Sequence, residues 1–216
     1  MTPLDSTAAK NLQPSTTMKL AEALGRAEFA AKLSAPVLLV RLVDSDQREV
    51  AQTLLQTLSS ATLPLIPTLG FRTVASVRGE RTVGGLMPWA PKDIGPRVRA
   101  LLSENLHVAV PLRKRPDSTK SFTERISIGR AMNNDVVLRH ESISKFHAWI
   151  ESDESGRLFA SDAGSRNGTF IDGARLTSKV SVHVPFGAEL RFAAIAAILC
   201  RAETLWDALH DAPEPA

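Results

Sequence analysis

From His107 onward the chain is cut into short apolar runs: HVAVPLR, RISIG, DVVL, FHAWIES, RLFASD, GTFIDG, VSVHVP and ELRFAA. They recur at intervals of about ten residues, with turn residues between them. Several alternate apolar and polar side chains, the period that sets one face of a strand against a core. Strands this short cannot bury their apolar faces singly. Stacking two sheets solves the problem, so residues 104–202 are predicted to form a sandwich of short antiparallel strands, and the chain is mainly β.

The region before the sandwich has a different texture. Residues 1–17 are small, polar and proline-containing, and read as a disordered tail. The stretch MKLAEALGRAEFAAKL (18–33) is rich in helix formers, with Leu20, Leu24, Ala27 and Ala31 on one stripe. Pro36 ends that pattern, and PVLLVRLV (36–43) predicts a buried strand. Asp44 or Ser45 then caps a helix over 46–61, with Val50, Leu54, Leu58 and Ala61 facing one way. Residues 62–96 are dense in Pro and Gly and predict a connector, with a short hairpin at 71–83 and a short helix at 94–103. Leu86, Met87 and Trp89 need cover from water. Residues 18–103 thus read as a smaller α/β or mainly helical region. Three roles stay open for it: a small domain, a dimerisation surface, or packing for the sandwich. Within 203–216, AETLWDALH predicts a short helix docking back through Leu205, Trp206 and Leu209, ahead of a frayed end.

The net charge over 216 residues is only +3. That argues against a nucleic-acid binder, while a modest positive field favours an anionic peptide. The single cysteine, Cys200, cannot close an internal disulfide, and its neighbours AAIAAILC predict a packed thiol. The N-terminus has no apolar core of the signal-peptide kind, and no apolar run is long enough to span a bilayer. The expected compartment is the cytoplasm, with no membrane and no nucleic acid among the partners.

Four polar pieces sit at strand ends: IGRAMNNDVVL (128–138), SISKFHAWI (142–150), DAGSRNG (162–168) and GTFIDG (168–173). Loops of alternate connections gather at one end of a sandwich, so these pieces are placed to converge. In order and spacing, Gly129-Arg130, Asn134-Asp135, Ser144-x-x-His147 and Ser165-x-Asn167-Gly168-Thr169 resemble the motif series of the forkhead-associated (FHA) domain. The resemblance covers roughly residues 105–201. It implies an FHA-like β-sandwich that binds phosphothreonine peptides through loops at one end, hence a signalling adaptor that docks partners of a Ser/Thr kinase.

The residue chemistry suits that ligand independently. Phosphothreonine carries nearly two negative charges and three acceptor oxygens. Arg130 offers a planar fork of donors to two of them, and Gly129 lets the backbone turn sharply beside it. Ser144 offers a small hydroxyl donor. Lys145 and Arg166 are flexible cations flanking the same place; by resemblance Lys145 is a second phosphate contact and Arg166 touches the phosphothreonine residue. Asn167 has both a donor and an acceptor for a peptide backbone, and Gly168 takes the awkward backbone angle of an Asn-Gly turn. The resemblance makes His147 a scaffold that hydrogen-bonds and holds the binding loops. Asn134, Asp135 and Thr169 read as loop braces, and Asp162 as structural, since a carboxylate would repel phosphate. Arg139, His140 and Ser142 are candidates for peptide specificity, with Arg139 favouring an acidic residue downstream of the phosphothreonine.

Ser144, His147 and Asp162 compose a hydrolase triad by residue type, but no nucleophile elbow surrounds the serine. No P-loop, kinase motif set or zinc-ligand spacing occurs in the sequence. The expectation is a recognition module without catalysis, cofactor or metal. One rival is a phospho-independent interaction scaffold. The other is an enzyme within the first hundred residues, where Asp44, Asp46 and Glu49 gather but helix capping explains them. Thr16 and Thr17 are placed to be phosphorylated and to bind the chain's own loops or a neighbouring copy's. Oligomeric state is open.

Overall fold

The computed structural model describes residues 24–33, 35–42, 106–115 and 125–210, with helical residues at 50, 52–54, 94–95 and 98. The expected tail at 1–17, the hairpin at 71–83 and most of the helix at 46–61 lie outside the described residues, as do Thr16 and Thr17. In chain order the elements are α1 (Arg26–Leu33), β1 (Val37–Leu42), β2 (Leu106–Pro111), β3 (Arg125–Gly129), β4 (Val136–Val137) and β5 (Ala148–Ser152). There follow β6 (Leu158–Asp162), β7 (Thr169–Ile171), β8 (Ala174–Arg175), β9 (Val182–Val184), β10 (Glu189–Phe192), β11 (Ile195–Cys200) and α2 (Ala202–His210).

β1 reads Val-Leu-Leu-Val-Arg-Leu, apolar at nearly every position. That is the pattern of a strand covered on both faces. It lies inside a six-stranded sheet ordered β2-β1-β11-β10-β7-β8. Both its neighbours run antiparallel: Leu38 faces Val110 on one side and Leu199 on the other, and Leu39 faces Ala109 and Ile198. A strand from the N-terminal region therefore belongs to the sandwich sheet.

The second sheet has five strands ordered β4-β3-β5-β6-β9. Its β3–β4 pair is parallel, with Ile128 opposite Val136, and the others are antiparallel. Between the sheets lies a core that includes Leu38, Val40, Val110, Ile128, Ile150, Leu190, Phe192 and Leu199. The outer face of the larger sheet is covered in turn by α1 and α2. Phe29, Leu33, Leu205 and Ala208 pack there over Val37, Leu39, Ala109 and Cys200, together with Ile94 and Val98. Cys200 is fully buried, and burial pushes its thiol up to about 12, so it is held as an inert thiol.

Two local expectations change, and one holds. α1 does not bury the stripe of alanines; Ala27 and Ala31 are exposed, and Phe29 and Leu33 face the sheet. The aromatic and leucine side chains carry far more apolar area than alanine, so they set the helix phase. α2 docks back as expected: Leu205 is fully buried, and Trp206 and Leu209, partly buried, pack against the same layer. Asn167-Gly168 is not a hairpin turn, because β6 and β7 belong to different sheets. The tight hairpin is the next turn, between β7 and β8, where Asp172 and Gly173 have φ of 45° and 83°.

Candidate functional site

Three connections run side by side at one end of the sandwich: 130–135 after β3, 138–147 before β5 and 163–168 after β6. Backbone and side-chain bonds tie them together. The Arg130 amide donates to the Ser144 carbonyl at 2.9 Å, and the Ala131 amide to the Lys145 carbonyl at 3.1 Å. The Arg166 amide donates to Ser144 Oγ at 3.1 Å, and Asn167 Nδ2 donates to the Ser142 carbonyl at 2.8 Å. A depression of about 220 Å³ opens between them, lined by Arg130, Ser144, Lys145 and Arg166 together with Glu141, Ser142 and Ile143.

Each polar group in this depression has a defined remainder. Arg130 Nε donates to the Ile143 carbonyl at 3.1 Å, which orients the guanidinium plane and leaves its two Nη groups without a partner among the described residues. Ser144 Oγ accepts from Arg166, so its hydroxyl proton is left to donate elsewhere. Asn167 spends its Nδ2 on the loop and keeps its Oδ1. Among the described residues no bond engages the charged ends of Lys145 and Arg166, and both side chains are exposed. The result is a shallow donor-rich rim.

Beneath the rim, buried polar residues fix the loops. A Cβ on Gly129 would run into the Lys145 carbonyl oxygen, so only glycine lets the first two loops close up. Asn134 Nδ2 bridges the Ala131 and Lys145 carbonyls at 2.8 and 2.7 Å. Asp135 accepts from the Ser127 amide and hydroxyl at 2.8 and 2.7 Å, from the Arg115 amide at 2.9 Å and from Lys114 Nζ at 2.9 Å. His147, fully buried, accepts at Nδ1 from the Ser144 amide at 3.1 Å and faces the Gly168 carbonyl with Nε2 at 3.2 Å. Nε2 therefore carries the ring proton. Burial pushes the imidazole's pKa down, and the Gly168 carbonyl and Asp162 only partly oppose it. With both ring nitrogens spent on backbone, His147 has nothing left to activate the Ser144 hydroxyl. The triad geometry is absent.

Asp162 organises the third loop. Its Oδ1 accepts from the Gly164 and Ser165 amides at 2.8 and 3.0 Å, and its Oδ2 from Ser165 Oγ at 2.6 Å and Thr169 Oγ1 at 2.8 Å. Burial pushes this carboxyl up, but the hydrogen bonds outweigh it and hold the group below the usual carboxylate range. Gly168, at φ 82°, receives the Ser165 hydroxyl on its amide at 2.9 Å. His140 Nδ1 accepts from the Ser142 hydroxyl at 2.7 Å and the Ser142 amide at 3.2 Å, so these two residues shape the second loop. Arg139 is exposed beside them.

The model of the FHA domain family matches residues 126–193. Those residues form an FHA domain. A 60-residue stretch is 43% identical to the protein phosphatase 1 regulatory inhibitor subunit PPP1R8 homolog of Arabidopsis thaliana, covering 28% of this chain and 16% of that protein. A 66-residue stretch is 38% identical to the FHA domain-containing protein FhaB of Mycolicibacterium smegmatis, covering 31% of this chain and 41% of that one. The chain thus spans less than half the length of these curated relatives. Among solved structures, Mycobacterium tuberculosis EmbR in complex with a low-affinity phosphopeptide is 26% identical, over 37% of this chain and 20% of that chain, with a TM-score of 0.34.

Five supporting residues of the FHA domain carry no signal in the sequence that would single them out. Lys114 and Arg115 lie just past β2 yet hold Asp135 and its loop. Ile143 acts through its carbonyl, and Glu141 is one loop charge among many. Arg175 packs its guanidinium against Gly168, where a Cβ would lie 2.7 Å from Nε.

Proposed function

We propose that the rim of the FHA domain binds a phosphothreonine peptide. Arg130 and Ser144 hold the phosphate, Lys145 and Arg166 add charge beside it, and Asn167 meets the peptide backbone. The observation that carries this reading is the meeting of Arg130, Ser144, Lys145 and Arg166 around one depression of about 220 Å³. The three cations there suit a dianion, and the unspent Nη and hydroxyl donors suit its oxygens. Gly129, Asn134, Asp135, His147, Gly168 and Thr169 keep the loops in place, so little ordering accompanies binding. His140 and Ser142 shape the loop that presents Arg139, which favours an acidic residue downstream of the phosphothreonine.

In this reading the chain is an adaptor that docks a partner phosphorylated by a Ser/Thr kinase. The unit that presents the rim includes β1 and the two helices as well as residues 104–202. The test is capture of the full chain on beads carrying a degenerate phosphothreonine peptide library, before and after phosphatase treatment. Capture is expected to vanish with the phosphate. Capture that survives phosphatase treatment would replace this reading with a phospho-independent scaffold.

A further inference from the structure

One member of the depression has the wrong sign for its proposed ligand. Glu141 lines it beside Arg130, Lys145 and Arg166, and its side chain is exposed. Three cations share that small space, yet none of them pairs with the Glu141 carboxylate. Among the described residues, the only carbonyl that Arg130 engages by its side chain is that of Ile143. No other hydrogen bond or ion pair among the described residues satisfies it. A carboxylate at the edge of a phosphate site repels a dianion and weakens every phosphopeptide that brings nothing to offset it. A ligand with a cationic side chain next to its phosphothreonine removes that penalty and gains an ion pair.

Resting on the phosphothreonine reading of the same rim, we infer that Glu141 selects peptides with Lys or Arg flanking the phosphothreonine. The selection works by repulsion as much as attraction. Three cations and one carboxylate leave the lining at +2, which balances a phosphate of nearly −2 without excess. Added acid beside the phosphate then meets Glu141, whereas added base meets it as a partner. Discrimination of this kind needs a specific unfavourable element for the wrong ligand, and an unpaired carboxylate supplies it.

The experiment uses the full chain and an oriented phosphothreonine peptide library with positions on both sides randomised. Sequencing of captured peptides should show Lys and Arg enriched at one or more flanking positions other than the downstream one that Arg139 reads as acidic. Glu141→Gln should erase that enrichment, and Glu141→Lys should replace it with Asp and Glu at the same positions. By fluorescence anisotropy, a phosphothreonine peptide with the preferred Lys should bind the parent about two- to fivefold tighter than its Ala twin, the range of a solvent-exposed ion pair. That ratio should fall to one in Glu141→Gln. An unchanged basic preference in Glu141→Gln, or none in the parent, overturns the role of Glu141 while leaving phosphate recognition intact. Failure of the parent to capture any peptide in a phosphate-dependent way overturns the site itself.

Discussion

The backbone amide of Arg166 donates to the hydroxyl oxygen of Ser144 at 3.1 Å, across two loops that meet only in the folded chain. The bond fills one acceptor position on Ser144 and aims the hydroxyl proton away from Arg166. Ser144→Ala should therefore weaken phosphothreonine peptide binding by about 1.5–3 kcal/mol, the worth of a hydrogen bond to a charged acceptor. Isothermal titration calorimetry on parent and variant measures it. An unaltered affinity would place the phosphate elsewhere.

Arg130 has its plane set by the Ile143 carbonyl, with two Nη groups to spare. Arg130→Ala should cost at least as much as Ser144→Ala. Arg130→Lys should recover little, because an ammonium lacks the planar fork. Raising ionic strength should weaken binding to the parent, and less so to Arg130→Ala, which has one fewer charge to screen. A salt titration by anisotropy separates the two.

Burial pushes the His147 pKa below its ordinary value of 6.5, so the folded protein holds the ring neutral at pH values where an unfolded histidine binds a proton. In that window the unfolded state carries more protons, and stability rises with pH. The contribution is complete above about pH 6.5 and is lost as the pH falls from there through the folded pKa. Urea midpoints at pH 7.5 and pH 5 should show this drop. His147→Asn should be less stable and lose this part of the pH dependence. Asp162 acts in the same direction at lower pH: burial pushes its carboxyl up, but Ser165 and Thr169 hold it low, so the charged group stabilises the fold and that contribution is lost only as the pH falls below the ordinary carboxylate range.

Gly129→Ala should disturb both stability and binding. Its Cβ meets the Lys145 carbonyl, a backbone atom that cannot swing aside, and lies 2.9 Å from Asn134 Nδ2. The expected loss of stability is about 1–3 kcal/mol, the usual cost of overpacking. Thermal unfolding by circular dichroism reads it. A variant as stable as the parent would show that the first two loops have room to part.

A chain starting at residue 104 should not give a stable sandwich. It lacks β1, which supplies Leu38 and Val40 to the core between the sheets and Val37 and Leu39 to the layer under α1 and α2. Within the full chain, Leu38→Ala should cost about 2–5 kcal/mol. Urea denaturation checks the point variant, and dispersion of amide proton signals checks the truncated chain.

The sandwich was legible because its strands alternate and its turns are marked by Gly, Asn and Asp. The rim was legible because loop motifs at fixed spacing bring together residues that local sequence leaves apart. Where β1 belongs was not legible, although its existence was: a run such as VLLVRL announces burial on both faces without naming its neighbours. The phase of α1 went astray because a stripe of alanines matches helical spacing as well as Phe29 and Leu33 do, and only the apolar area at stake separates them. Asn167-Gly168 carries the strongest local mark of a hairpin, yet the chain changes sheets there. Glu141 carried no mark at all, since its meaning depends on three cations brought to it by other loops.

Leu39 meets Ile198 across the ladder, and the two come from opposite ends of the described chain. A ribosome that has released β1 soon supplies β2 as its first neighbour, but must extrude the whole second sheet as well before β11, its other neighbour, exists. The larger sheet cannot close stepwise during synthesis, and its assembly is a late, long-range event of the slow kind. Until β11 arrives, β1 has an open edge towards its missing neighbour, and truncated products carry that edge permanently.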